Sequence, residues 1–87
     1  MNDCLFCKIA AGEIPSTKVY EDETTLAFRD INPQAPVHVL VIPKKHVSGW
    51  YDAQNESDAE LAHLMRVAAM VAKSENIVES GFRVVSN

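Results

Sequence analysis

The chain has 87 residues, 47% hydrophobic and 23% charged, the proportions of one small globular domain with a thin core. Eight Lys and Arg face twelve Asp and Glu, and the net charge of −4 argues against nucleic acid or an anionic membrane as the main partner. Small phosphate-bearing ligands stay open, because backbone N–H groups bind them without net positive charge. No apolar run reaches the roughly 18 residues of a membrane span. Met1-Asn2-Asp3-Cys4 lacks a charged start and an apolar signal region, so the expectation is a cytoplasmic protein with reduced thiols.

In chain order, Leu5–Ala11 reads as one or two helical turns, with Gly12 placed as the residue after the cap. Thr17–Glu21 and Thr24–Asp30 alternate apolar and polar residues around Asp22-Glu23, the pattern of a hairpin. Ile31–Pro36 carries two prolines and is a loop. Val37–Ile42 is the most β-prone stretch and reads as a central strand ended by Pro43. Lys44–Asn55 reads as a polar connector. Ser57-Asp58-Ala59-Glu60 fits a capping box, and Leu61, Leu64, Met65, Ala68 and Ala72 continue as an apolar helical stripe to about Ser74 or Glu75. Gly81–Asn87 reads as a further strand. The expected class is α+β: an antiparallel sheet with a short N-terminal helix and one long helix packed on it.

The residues capable of chemistry are few. Cys4 and Cys7, in C-x-x-C spacing, supply half of a tetrahedral zinc site, with His46 as the natural third ligand; two small thiols and an exposed histidine is the plainer alternative. A redox pair fits less well, since no βαβ pattern surrounds it. His38 on the β-prone stretch is most simply a hydrogen-bonded structural residue. Asp30 and Asn32 flank a strand exit, where they form turns, although an Asp also accepts both hydroxyls of a ribose. His63, on the long helix, has no assigned role. No glycine-rich phosphate loop and no Ser, His and Asp set at usable spacing is present.

Taken together, Asp3-Cys4-Leu5-Phe6-Cys7-Lys8-Ile9, Glu13-Ile14-Pro15, Val19-Tyr20-Glu21-Asp22, Ala27–Pro36 (AFRDINPQAP), His38–His46 (HVLVIPKKH) and Gly81-Phe82-Arg83 resemble the histidine-triad (HIT) family. The nearest branch is similar to Hint, the purine nucleoside phosphoramidases. The resemblance covers essentially the whole chain and implies a single HIT domain over residues 1–87, dimerising through the long helix. It implies a purine nucleotide ligand: Phe6, Ile14, Phe28 and Ile31 wall the base, Arg29 lies at its edge, Asp30 takes the ribose hydroxyls, and Asn87 sits near ribose or phosphate. His38 lines the catalytic pocket in support of the nucleophile. In the family that nucleophile is the middle histidine of His-x-His-x-His, which forms a nucleotidyl-histidine intermediate. The motif is not in these 87 residues, so the expectation is a domain ending before its catalytic strand, a nucleotide hydrolase in parentage and inactive as it stands. A zinc or nucleotide-binding module without catalysis, or a fragment without function, are the alternatives. The resemblance also implies a structural zinc on Cys4, Cys7 and His46, with its fourth ligand in the missing motif.

Overall fold

The computed structural model describes residues 4–86, and the chain divides into two compact units, Met1–His46 and Val47–Asn87. The first unit opens with helix α1, Leu5–Ala10. Gly12, at φ 82°, takes the left-handed position after its cap. The Gly12 N–H then donates to the Ile9 carbonyl and the Glu13 N–H to the Lys8 carbonyl, the paired bonds of a Schellman ending. A six-residue helix has little stability of its own. Ile9 anchors it, buried with Leu26 and Phe28, while Ile14, Leu40 and Ile42 pack around that core.

Three antiparallel strands follow, β1 (Lys18–Glu21), β2 (Thr25–Arg29) and β3 (Val39–Pro43), in the order β1-β2-β3. The β1–β2 hairpin closes on Asp22, whose Oδ1 accepts the Thr24 and Thr25 N–H groups at 2.9 Å while the Tyr20 hydroxyl donates to Oδ2 at 2.7 Å. Glu21 receives Lys18 on one oxygen and Lys44, just past β3, on the other, both at 2.8 Å. These two ammonium groups, Lys18 first, hold its carboxyl down to about 2. Along β2 and β3, Phe28 pairs with Leu40 and Leu26 with Ile42, which sets the apolar residues of both strands on the face that α1 covers.

The central strand is β2, not the most β-prone stretch. Thr25, Leu26, Ala27 and Phe28 are all buried, whereas β3 is half-buried along its length and, among the described residues, pairs only with β2. Branched side chains report a preference for extended backbone; which strand is flanked on both sides is decided by connection order. Pro43 at the end of β3 agrees with an edge position, since it has no N–H to donate.

In the second unit, Trp50–Ala53 forms a four-residue helix, α2, where a connector was expected. Asp52 turns back to accept the Ser48 N–H at 3.0 Å and its hydroxyl at 3.3 Å, closing the turn. Helix α3 spans Asp58–Ser74 and starts on the expected capping box, the Glu60 N–H donating to Ser57 Oγ at 3.1 Å. It ends on Asn76 at φ 60°, with a second Schellman pair, Asn76 N–H to Lys73 and Ile77 N–H to Ala72. The expected stripe holds in part: Ala72 is buried and Leu64 and Ala68 are half-buried, but Val67 and Val71 are buried beside them. Val67, Val71 and Ala72 are the buried residues, whereas Met65 is 74% exposed and Leu61 stands at the margin of exposure. Residues 81–86 form no strand: all are exposed and no ladder partner exists for them among the described residues. β-prone residues alone create no strand, because an extended segment holds only through paired N–H and C=O groups. No helix of the described residues is long and apolar enough to cross a membrane.

Candidate functional site

Two clusters stand in the first unit. The first joins Cys4, the cap residue of α1, and Cys7, one turn on, to His46 beyond β3. Their ligand atoms all lie within 4.8 Å of one another, and Cys7 Sγ is 3.1 Å from His46 Nδ1. A helical turn brings residues three apart to one face, and the exit of β3 brings the histidine across 39 positions of sequence. A tetrahedral zinc with sulfur at about 2.3 Å and nitrogen at about 2.0 Å sets its ligand atoms about 3.6–3.8 Å apart. The observed separations bracket that range, so side-chain adjustments well under a turn of helix suffice, and the donor set, two thiols and an imidazole, is one that zinc takes. Hydrogen bonds to the Cys4 sulfur, the Cys7 N–H foremost and then the Cys7 thiol, hold its pKa down to about 7. Near neutrality that thiol is already poised to release the proton a metal must displace.

The second cluster closes the β2–β3 connection. Asp30, one residue past β2, accepts the Asn32 N–H on Oδ1 at 2.9 Å, and its own N–H donates to the His38 carbonyl at 3.0 Å. Asp30 Oδ2 lies 3.4 Å from His38 Nε2. The other ring nitrogen, Nδ1, accepts the Gln34 N–H at 3.0 Å, and the Gln34 amide reaches the Asn32 carbonyl at 3.3 Å.

The structure thus joins Asp30 to His38, and Cys4 and Cys7 to His46. Phe6 meets Phe28 with ring centroids 6.3 Å apart. Phe28 itself is buried, and Ile14 packs on its core, so neither ring face of Phe28 nor Ile14 stands fully open. Phe6 is 43% and Ile31 86% exposed, apolar surface available to a ligand. Arg29 is exposed at the end of β2. Asn87 lies outside the described residues. Gln34 is the participant that residue reading missed; its place four positions before His38, in a Pro-Gln-Ala-Pro turn, is the signal.

The family model for the HIT domain matches residues 11–87. The chain belongs to this family. It is 53% identical over 85 residues to a 14 kDa zinc-binding protein of Zea mays, covering 95% of this chain and 66% of that one. It is 42% identical over 85 residues to the purine nucleoside phosphoramidase of Escherichia coli K12, covering 98% and 71% respectively. The chain therefore spans about two thirds to three quarters of the length of such relatives. Among solved structures, a HIT family hydrolase from Legionella pneumophila Philadelphia 1 superposes with a TM-score of 0.90 at 51% identity, covering 95% of this chain and 74% of that one. The α+β architecture expected from the pattern is the one these neighbours share.

Proposed function

We propose that this chain carries the purine-nucleoside half of a HIT nucleotide hydrolase together with a structural zinc site. Asp30 supports the reading most directly: a carboxylate at a strand end, oriented by its own turn, in a chain similar over nearly its full length to a purine nucleoside phosphoramidase. In this reading Asp30 accepts the ribose hydroxyls. Phe6 and Ile31, with Phe28 and Ile14 behind them, bound the base; Arg29 stands at its edge, and Asn87, outside the described residues, is assigned to ribose or phosphate. His38 lines the pocket.

The reaction assigned to the whole enzyme is cleavage of a nucleoside 5′-monophosphate amidate or ester through a nucleotidyl-histidine. The three histidines of the 87 residues, His38, His46 and His63, form no His-x-His pair, so the nucleophile is not among them. Cys4, Cys7 and His46 would hold the zinc, which when bound supplies a crosslink between α1 and the exit of β3. Homodimerisation through α3 would cover Leu61, Met65 and Met70, and two cysteines outside any disulfide suit a reducing cytoplasmic compartment.

Equilibrium dialysis with AMP tests the nucleoside site. The chain retains AMP, and Asp30→Asn weakens retention by about tenfold, the order of one hydrogen bond to a charged acceptor. No retention by the unmodified chain, or equal retention by Asp30→Asn, overturns the reading.

A further inference from the structure

His38 faces Asp30 across 3.4 Å, and its two ring nitrogens are not equivalent. Nδ1 accepts a backbone N–H from Gln34 at 3.0 Å, so in the neutral ring the proton resides on Nε2, the atom 3.4 Å from Asp30 Oδ2. The pair is partly shielded, with side-chain exposures of 29% for His38 and 22% for Asp30. An ionised carboxylate offers about four lone-pair positions, two on each oxygen. The Asn32 N–H occupies one on Oδ1, and His38 Nε2 lies 3.4 Å from Oδ2, close enough to take up one there. Among the described residues one position on each oxygen is left, the arrangement a vicinal diol needs.

We propose that His38 is a positioning residue for Asp30: its imidazole, locked in one tautomer by the Gln34 N–H, fixes the carboxylate so that its remaining lone pairs select a 2′,3′-diol. This rests on the nucleoside reading above but gives His38 a different task from supporting the nucleophile. The loop Ile31–Val37 enters the site through this histidine, because the Gln34 N–H orients the ring and the ring orients Asp30.

The test compares adenosine with 2′,3′-dideoxyadenosine, binding measured by NMR titration of the chain. The unmodified chain prefers adenosine by about tenfold, as expected for hydrogen bonds to a charged acceptor. His38→Asn keeps an acceptor in place of Nδ1 but loses the donor toward Asp30; the preference for adenosine falls about three- to tenfold, beyond any change common to both ligands. His38→Gln keeps a donor near the Nε2 position and retains most of the preference. Equal weakening of both ligands by His38→Asn overturns the proposal, as does loss of the preference in His38→Gln. In the unmodified chain, the His38 Nε2 resonance shifts with adenosine and not with dideoxyadenosine; identical shifts overturn it without relying on any variant. Failure to bind adenosine at all removes the nucleoside reading itself, and equal binding of the two ligands by the unmodified chain removes the diol contact to Asp30.

Discussion

The zinc assignment has a consequence that follows from ligand count. A complete four-ligand structural zinc site in a small peptide binds with roughly 10–16 kcal/mol. Shared evenly, three protein ligands with water in the fourth position retain about 8–12 kcal/mol, a dissociation constant of about micromolar or tighter. Two ligands retain about 5–8 kcal/mol, which is about a hundred- to thousandfold weaker. Removing His46 (His46→Ala) therefore should take the chain from retaining about one zinc through gel filtration to losing it. The apo and loaded forms should also separate thermally. Free zinc at about 100 times its dissociation constant adds about 2.7 kcal/mol to the folded state, or about 10–20 °C in a domain of this size. The assay is metal analysis of reduced protein prepared without chelator, paired with thermal unfolding under zinc titration. Zinc retained undiminished by His46→Ala and by Cys7→Ala would refute the ligand set, and a transition indifferent to zinc would refute the crosslink.

Other expectations are shorter. Leu26 is fully buried in the core, so Leu26→Ala should cost about 2–5 kcal/mol, read as a lowered urea midpoint; a cost under about 1 kcal/mol would show the core is elsewhere. Glu21 has its carboxyl depressed by Lys18 and Lys44, so its stabilisation is present above the ordinary carboxylate value of 4.5 and disappears as pH falls toward about 2. The stability gap between the unmodified chain and Glu21→Gln should close across that window, and a gap independent of pH would remove the ion-pair account. Adenosine 5′-phosphoramidate should not turn over faster with this chain than in buffer; a rate abolished by any single substitution within the 87 residues would reveal a misplaced nucleophile.

What could be read directly from the residues was mostly what is decided within a few positions. The capping box at Ser57, the left-handed Gly12 and the Asp22 turn each act between neighbours, and the structure has them where the pattern indicates. The failures lie where distant partners decide. Val39–Pro43 looks central by composition, yet the chain's connection order puts β2 between its neighbours. The stripe on α3, read as Leu61, Leu64, Met65, Ala68 and Ala72, holds at Ala72, which is buried, but Val67 and Val71 are buried too while Met65 is exposed. Residues 81–86 read as a strand from their composition and lack a ladder among the described residues. Helix α2 depends on one carboxylate, Asp52, folding back on Ser48, a signal that polar composition hides. The metal cluster crosses 39 positions, so spacing alone proposed His46 without excluding a solvent role. Asp30 and His38 were each legible as candidates; that they face each other depends on a loop closure that no local pattern encodes.

The metal cluster shares helix α1 with Phe6, one wall assigned to the base, and that sharing makes a final prediction. Phe6 lies between Cys4 and Cys7 on a helix of six residues, held by Ile9 in the core, by its Schellman ending and by the Cys7–His46 contact. Such a helix depends on tertiary anchors rather than on its own hydrogen bonds. A metal bridging Cys4, Cys7 and His46 would clamp both sides of Phe6 and keep its ring against Phe28, the wall assigned to the base. Asp30 is anchored separately, by Asn32 and the His38 ring. Stripping zinc should therefore weaken adenosine and 2′,3′-dideoxyadenosine alike, by about three- to tenfold if ordering one aromatic side chain and its helical turn costs about 1 kcal/mol. The preference between the two ligands should survive. A preference that collapses on chelation would mean the ribose contact depends on α1, and unchanged affinity for both would mean the metal holds nothing the base touches.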